Sequence, residues 1–446
     1  MTIDLTRGRV IVTYGCSLMA LAIAESIGRR GVEVIGADDV GLTALSFSRF
    51  THATFVHAPA AIDPDAFIED LVAAALRFKP EDGRPYVLIP CFQETRLIAR
   101  HAARLSAHIT VAAPAFEAIQ AVDPKDHLMR TLRGLPIRAP ATCTSDEWRA
   151  GDPACPARFP LMIKPNWGVG GRGVRRVDDA PTLETAIAAS DDAGAGLLVQ
   201  DLIAGDDYCL CALFHNGELE ASAAYHNLSQ YPHVAGAGVL RETVSDAPFL
   251  PAVQALFGPL GWTGVAEIDF RWDGISTPWL IEVNPRFWAG VFHTSTSGVD
   301  FPWMLYEMAV TGKVSAHSAA RLGQRTRVGD LYLLSAIAEI AGSDDLFAAA
   351  KTSWLTAAHR FQGGQLREAV HNLAVAATEG LDDLSRVATR LQQVLASGNG
   401  APDELFRSED PLVSLGVLFI VASLLRYGRL PPELRYDPMA HDLMVE

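Results

Sequence analysis

The sequence predicts an α/β protein in three parts. A Rossmann-like parallel-sheet domain covers residues 1–120, a strand-rich middle covers 121–314 with a glycine lid near 156–205, and an all-α C-terminal extension covers 315–446. Three observations carry this reading. Before residue 120, apolar strand runs alternate with helical runs, the pattern of a doubly wound parallel sheet. From Pro160 to Trp288 the chain reads mostly as strands. Beyond residue 315 the helical period takes over, with loops at "GSDD" (342–345) and "SGNGAPDE" (397–404). At 446 residues the chain is also too long for one ordinary core.

Composition bounds the function. The chain is 49% hydrophobic and 20% charged, with a net charge of −15. An acidic balance argues against nucleic-acid and anionic-membrane partners, which want a basic footprint. "MTIDLTRGRVIVTYG" lacks a basic region followed by an apolar run and a cleavage site, so a cytoplasmic location is expected. The longest apolar run, Val413 to Leu425, is too short to span a bilayer and predicts a buried helix. The cysteines at 16, 91, 143, 155, 209 and 211 form neither a C-x-x-C pair nor a zinc pattern. Cys209 and Cys211 share a strand face and read as buried thiols.

In order along the chain, "RVIVTYG" is an apolar strand closed by Gly15. "SLMALAIAESIGRRG" has helical spacing, with Ser17 as N-cap and Gly31 as stop. "VEVIGADD" is a second strand, ending in Asp38 and Asp39. "YVLIP" from Tyr86 is another strand, and "ETRLIARHAARL" is a helix. Gly15 stands alone where a dinucleotide fingerprint wants three spaced glycines, so NAD is not expected. The strand ends remain candidates to line a substrate pocket. "VDPKDHLMRTLRG" predicts a short helix carrying Lys125 and stopped at Gly134.

"IKPNWGVGGRGV" (163–174) satisfies G-x-G-x-x-G, but its neighbours exclude two readings. Gly173 is followed by Val174, so no Walker A lysine is present. "GVRRV" alternates like a strand, and a helix starts only near Thr182, so no helix N-terminus meets a pyrophosphate. The loop therefore joins two strands. It is either a plain flexible hairpin or a flap whose bare backbone approaches phosphate, with Lys164 on the incoming strand and Arg172 at the tip.

Downstream, "GVAEIDFRWDGISTPWLIEVNPRFW" (264–288) predicts an antiparallel hairpin around the turn "DGISTP". Alternation puts Ala266, Ile268, Phe270 and Trp272 on one face and Val265, Glu267, Asp269 and Arg271 on the other. Asp269 then falls near Glu282 and Asn284, a hard-ligand set suited to magnesium. Arg286 follows on the same face and suits a transferring phosphoryl group or an oxyanion. A solvated charged face is the plainer reading of such a hairpin.

With both strands in place the chain resembles an ATP-grasp enzyme of the carboxylate–amine ligase type. That group includes biotin carboxylase, the large chain of carbamoyl phosphate synthase, and D-alanine–D-alanine and D-aspartate ligases. The markers are F-P-x-x-I-K-P with its glycine flap and I-E-V-N-P-R, and the resemblance covers residues 8–312. It implies phosphate contacts from Lys125 and Lys164 and a flap of Gly168, Gly170, Gly171 and Gly173. It places Gln200, Asp201 and Leu202 at the adenine and Asp207 at the ribose. Asp269, Glu282 and Asn284 would bind metal, and Arg286 would act on an acyl phosphate together with Lys164. Asp-Pro-Lys replaces the usual Asp-Lys at 125, and Asp207 and Asp269 stand where Glu is commoner. The implied cofactors are ATP and Mg²⁺, with Mn²⁺ as an alternative ion.

The implied reaction activates a carboxylate with ATP and couples it to an amine. A phosphotransferase on the same fold and a nucleotide-binding module without catalysis are the alternatives. Substrate contacts are candidates at Arg241, which suits a carboxylate, at His226 and His233, and at His293, Thr294 and Ser295, where related ligases form the acceptor pocket. Ordinary structural roles compete at each histidine and at the capping residues. Partners are expected to be small carboxylates and amines, with a homodimer through the helical extension as one use for that region.

Overall fold

The structure is a computed structural model. It describes residues 3–168, 171, 173–192, 196–231, 236–329, 332, 401–405, 408–427 and scattered positions between 352 and 400. Gly170, Arg172 and His233 lie outside the described residues, as does most of the predicted helical extension.

The N-terminal sheet contains β1 (Arg9–Val12), β2 (Glu33–Asp38), β3 (Thr51–Val56), β4 (Tyr86–Ile89) and β5 (Thr110–Val111). All pairings are parallel, in the order β3-β2-β1-β4-β5. The β1 residues Val10, Ile11 and Val12 are buried on both faces, which is why their run is continuously apolar. Ser17 caps the following helix, Leu18–Gly28, by accepting from the Ala20 N–H. Gly31, with φ +91°, turns the chain back into β2. The strand order runs outward from β1 to β3 on one side and from β4 to β5 on the other, so the switch point, where parallel sheets place their ligands, lies between the ends of β1 and β4.

A four-stranded lid sheet follows, with β6 (Thr142–Thr144), β7 (Leu161–Pro165), β8 (Arg175–Val177) and β9 (Leu197–Asp201) in the order β6-β9-β7-β8. The glycine loop joins antiparallel β7 and β8, as its flanking alternation predicts. The helix after it runs Ala180–Asp192. Cys143 is bonded to Cys155, with Cα atoms 5.3 Å apart; their spacing of 12 gave no signal of it. Cys209 and Cys211 are free and buried, as expected.

The largest sheet is β14-β13-β10-β11-β12-β15, built from β10 (Asp206–His215), β11 (Glu218–Tyr231), β12 (Ala237–Val244), β13 (Gly264–Trp272), β14 (Trp279–Asn284) and β15 (Arg325–Arg327). One face carries Ala266, Ile268 and Phe270 into a core with Phe249, Phe257 and Trp262. The other faces the N-terminal domain, where Cys211, Tyr225, Trp288 and Tyr306 share a core with Val10, Val12 and Ile23.

Two expectations about the C-terminal part need correction. Residues 325–327 are a strand: Leu240 to Glu242 pair with Arg327 to Arg325, and Arg327 bridges Asp403. Only one of the three side chains of that short arginine-rich strand is buried, so it carries no apolar alternation to read. The run 413–425 is not one buried helix. Pro411–Leu418 is 3₁₀, Phe419–Tyr427 is α-helical, and Leu418, Val421, Leu424 and Leu425 are exposed. No helix among the described residues is long and apolar enough to cross a membrane.

Candidate active site

Three elements converge beneath the glycine flap. The hairpin β13–β14 aligns Asp269 with Glu282 and Glu267 with Asn284. The helix Lys125–Leu132 presents Lys125 from its first turn. Strand β7 presents Lys164 from the lid sheet. Lys125 Nζ lies 3.1 Å from Glu282 Oε1 and donates to the Gly168 carbonyl at 3.0 Å, so it ties the flap base to the hairpin. Lys164 Nζ donates to the Ile281 carbonyl at 3.4 Å.

Burial without full pairing sets the electrostatics. Desolvation pulls the Lys164 ammonium down to about 8, opposed by Glu282. Burial alone would raise Glu282, but Lys125 and Lys164 outweigh it and hold that carboxyl below its ordinary range. Asp269 is pushed well above the carboxylate range by burial and by the Glu267 and Glu282 charges. Asn284 donates to Asp269 Oδ2 at 3.1 Å and to Glu267 Oε2 at 3.4 Å, and its Oδ1 accepts from Arg286 Nη2 at 2.9 Å. The Arg286 guanidinium also sits over the Phe92 ring at 4.4 Å. Phe92 stacks on Tyr14 at 4.7 Å, and both lie just past the ends of β4 and β1. The switch point of the N-terminal sheet therefore lies beside the same arginine.

These oxygens fit a hard dication. Asp269, Glu282 and Asn284 lie on adjacent strands, and the crowding that raises Asp269 is relieved by added positive charge. Cys209 Sγ lies 3.2 Å from Asp269, but burial holds the thiol protonated, which makes it a poor ligand for such an ion. Sequence reasoning set aside Glu267, which is buried, accepts from the Tyr225 hydroxyl at 2.6 Å and joins Asp269 and Cys209 in one cluster. The alternation already placed it on Asp269's face, which was its available signal.

The flap glycines divide by conformation. Gly168, Gly171 and Gly173 have φ of +132°, +71° and +72°. A Cβ on Gly173 would come within 2.7 Å of Pro165 Cγ, so this position needs glycine for steric and backbone reasons. On β9, Gln200 is buried and donates to Thr142 Oγ1 at 2.8 Å, Asp201 follows at the strand end, and Leu202 is exposed just beyond it. Asp207 is paired with Arg271 Nε at 2.8 Å.

The substrate candidates are less close to this centre in role. Arg241 is 2% exposed and forms an ion pair with Glu404, so its charge is already met within the chain; this corrects its expected availability to a carboxylate. His293 is 1% exposed, lies between Thr243 and Thr326 hydroxyls at 3.0 and 2.9 Å, and is pushed down to about 3 by burial. It is a neutral packing histidine, and Thr294 is a buried residue bonded to the Val291 carbonyl. The Ser295 hydroxyl is buried without a hydrogen-bond partner. His226 stacks on Tyr208 at 4.5 Å beside Asp206.

Known proteins are similar to this chain in sequence and in fold. Residues 122–290 match the ATP-grasp domain. A curated relative, the vancomycin C-type resistance protein VanC1 of Enterococcus gallinarum, is 23% identical over 183 residues. That match covers 38% of this chain and 51% of the relative, so the chain spans about half the relative's length. Solved structures share the fold. An L-amino acid ligase from Bacillus licheniformis superposes with a TM-score of 0.54 at 16% identity, covering 70% of this chain and 75% of that one. A biotin carboxylase from Campylobacter jejuni, in complex with a βγ-ATP ligand, gives 0.55 at 16% identity over 72% and 75%. An N5-carboxyaminoimidazole synthetase from Staphylococcus aureus, complexed with ADP, gives 0.54 at 12% identity over 73% and 82%.

Proposed function

We propose that this chain, built around its ATP-grasp domain, is a Mg-ATP-dependent ligase that activates a small carboxylate as an acyl phosphate and joins it to an amine. The observation that carries the reading is the meeting of two buried ammoniums, Lys125 and Lys164, with the Glu282–Asp269–Asn284 oxygens under a glycine flap. Lysines of this kind neutralise phosphate charge, and the flap's bare backbone can donate to phosphate oxygens. Gln200, Asp201 and Leu202 are assigned to the adenine side; Asp207 would reach the ribose only by sharing its carboxylate with Arg271.

Asp269, Glu282 and Asn284 would hold Mg²⁺, or Mn²⁺ in its place, and such an ion offsets repulsion between phosphate and an attacking carboxylate. The chain's own groups do the rest by position and charge. Arg286 is fixed by Asn284 and Phe92 where it can stabilise charge developing on the substrate. No side-chain nucleophile is required, because the substrate carboxylate attacks and the amine displaces phosphate.

The related structures that bear ligase and carboxylase names support this class. The test is phosphate release from ATP with acid and amine supplied separately and together. Release that needs both supports ligation. ADP release with the acid or an alcohol alone, with no free phosphate and the phosphoryl group left on a stable product, would establish a phosphotransferase in its place.

A further inference from the structure

We propose that Arg96 is the anchor for the carboxylate of the substrate, placed by the N-terminal domain at the mouth of the cleft; this rests on the ligase reading above. Arg96 lies on the helix Glu94–Arg100, just past the end of β4. Its guanidinium stacks over Trp167 at 4.6 Å, at the base of the glycine flap, and over Phe116 at 5.5 Å. Aromatic faces stabilise the cation but accept none of its five N–H groups along their bonds. Among the described residues no salt bridge meets it, the Asp123 carboxyl acts on it only electrostatically, and its buried Nε has no hydrogen-bond partner. Buried donors of this strength are normally paired, so an acceptor belongs there.

Its position points to the reacting substrate. The Asp123 carboxyl, raised by burial, is pulled the other way by Lys125, Arg96 and Arg286 together, which places Arg96 within electrostatic reach of the phosphate and metal residues. Phe92, four residues earlier, carries Arg286 on its face. Arg100, one turn further on, also sits over Phe116, at 5.9 Å. Like charges four apart weaken a helix, so this pair adds no local stability of its own. The class of ligand that meets these requirements is a small molecule with a free carboxylate, of amino-acid size, gripped by a planar two-donor fork.

The experiment compares wild type, Arg96→Lys and Arg96→Gln. The probe is an equimolar mixture of the common L-amino acids with D-alanine and D-aspartate, supplied with Mg-ATP, and phosphate release is measured. For Arg96→Gln the apparent KM for the mixture should rise by about tenfold or more while the KM for ATP stays within about twofold. Arg96→Lys should fall between, since it keeps the charge without the fork. An unchanged mixture KM in Arg96→Gln overturns the proposal. So does loss of the MgADP-induced thermal shift in that variant, which would make Arg96 a strut of the flap. If wild type releases no phosphate, the ligase reading fails on its own terms. The mixture is then titrated against MgADP-loaded protein: a thermal shift that Arg96→Gln abolishes supports the anchor, and its absence in wild type overturns it.

Discussion

Glu282 pairs with Lys125 and feels the charge of Lys164, so it is where the site is most sensitive to one atom. Glu282→Gln removes the charge but little volume. It leaves Lys125 and Lys164 buried against a neutral amide. Phosphate release should fall by about a hundredfold or more, because each lost charged contact of this kind costs several kcal/mol in the transition state. Full turnover by Glu282→Ala would remove the hairpin from the reaction. Lys164 gives a second prediction, in pH. Its ammonium is held down to about 8 from 10.5. Below pH 8 it is charged and ready for an anion. Above that, nucleotide binding must first take up a proton, so MgADP affinity should fall by about tenfold per pH unit at most. Calorimetry in two buffers of different ionisation enthalpy reads that proton uptake directly. Lys164→Gln should bind more weakly at pH 7 and lose the slope. The sequence made it legible that Asp269, Glu282 and Asn284 meet across one hairpin, because strand alternation fixes which side chains share a face. It hid Arg96 and Phe92, whose roles come from a helix and a loop in another domain, brought close only by tertiary packing.

The elements around the site are held by polar contacts as much as by apolar ones. Arg241 on β12 and Glu404 form an ion pair that is almost completely buried, and Thr326 on β15 donates to the same carboxylate at 3.3 Å. Thr326 also meets His293, which in turn meets Thr243. This chain of side chains clamps the 401–405 segment onto the edge of the large sheet, where β15 is only three residues long. Breaking a buried pair from one side leaves an uncompensated charge. Glu404→Ala should therefore cost about 3–5 kcal/mol and lower Tm sharply. The double variant Arg241→Met with Glu404→Leu should recover most of that loss in the same melts. If Glu404→Ala melts like wild type, the clamp is not stabilising. Neither β15 nor its clamp was legible, because "RTR" has no apolar period and its partner lies across the sheet. The hairpin, lid and first strands were legible for the opposite reason: each is specified by a local period and by turn residues such as "DGISTP".

At the scale of the molecule, the sequence divides the chain into domains more sharply than packing does. Trp288, Phe287, Phe301 and Tyr306 follow the metal-type strand, yet they pack with Val10, Val12, Ile23 and Ile27 in one core. Trp288 is fully buried and meets Phe301 edge-on at 5.1 Å, and Tyr306 donates to the Leu5 carbonyl at 2.9 Å. Two consequences follow from a core that two sheets share. The N-terminal sheet and the large sheet should unfold together, so denaturant melts followed by circular dichroism and by loss of nucleotide binding should coincide. Trp288→Ala should lower both together by about 3–5 kcal/mol, since deleting a buried indole removes contacts from each side of the boundary. The shared core also explains why Arg96 and Phe92 can be aimed at residues of another sheet with fixed geometry. A crevice at the ends of β1 and β4 is rigid only if its far wall is bolted to the same core. Separate transitions for the two probes, or a Trp288→Ala variant whose nucleotide site survives the loss of the N-terminal sheet, would show that the two domains are hinged. The N-terminal arginine would then reach the cleft only in a closed form.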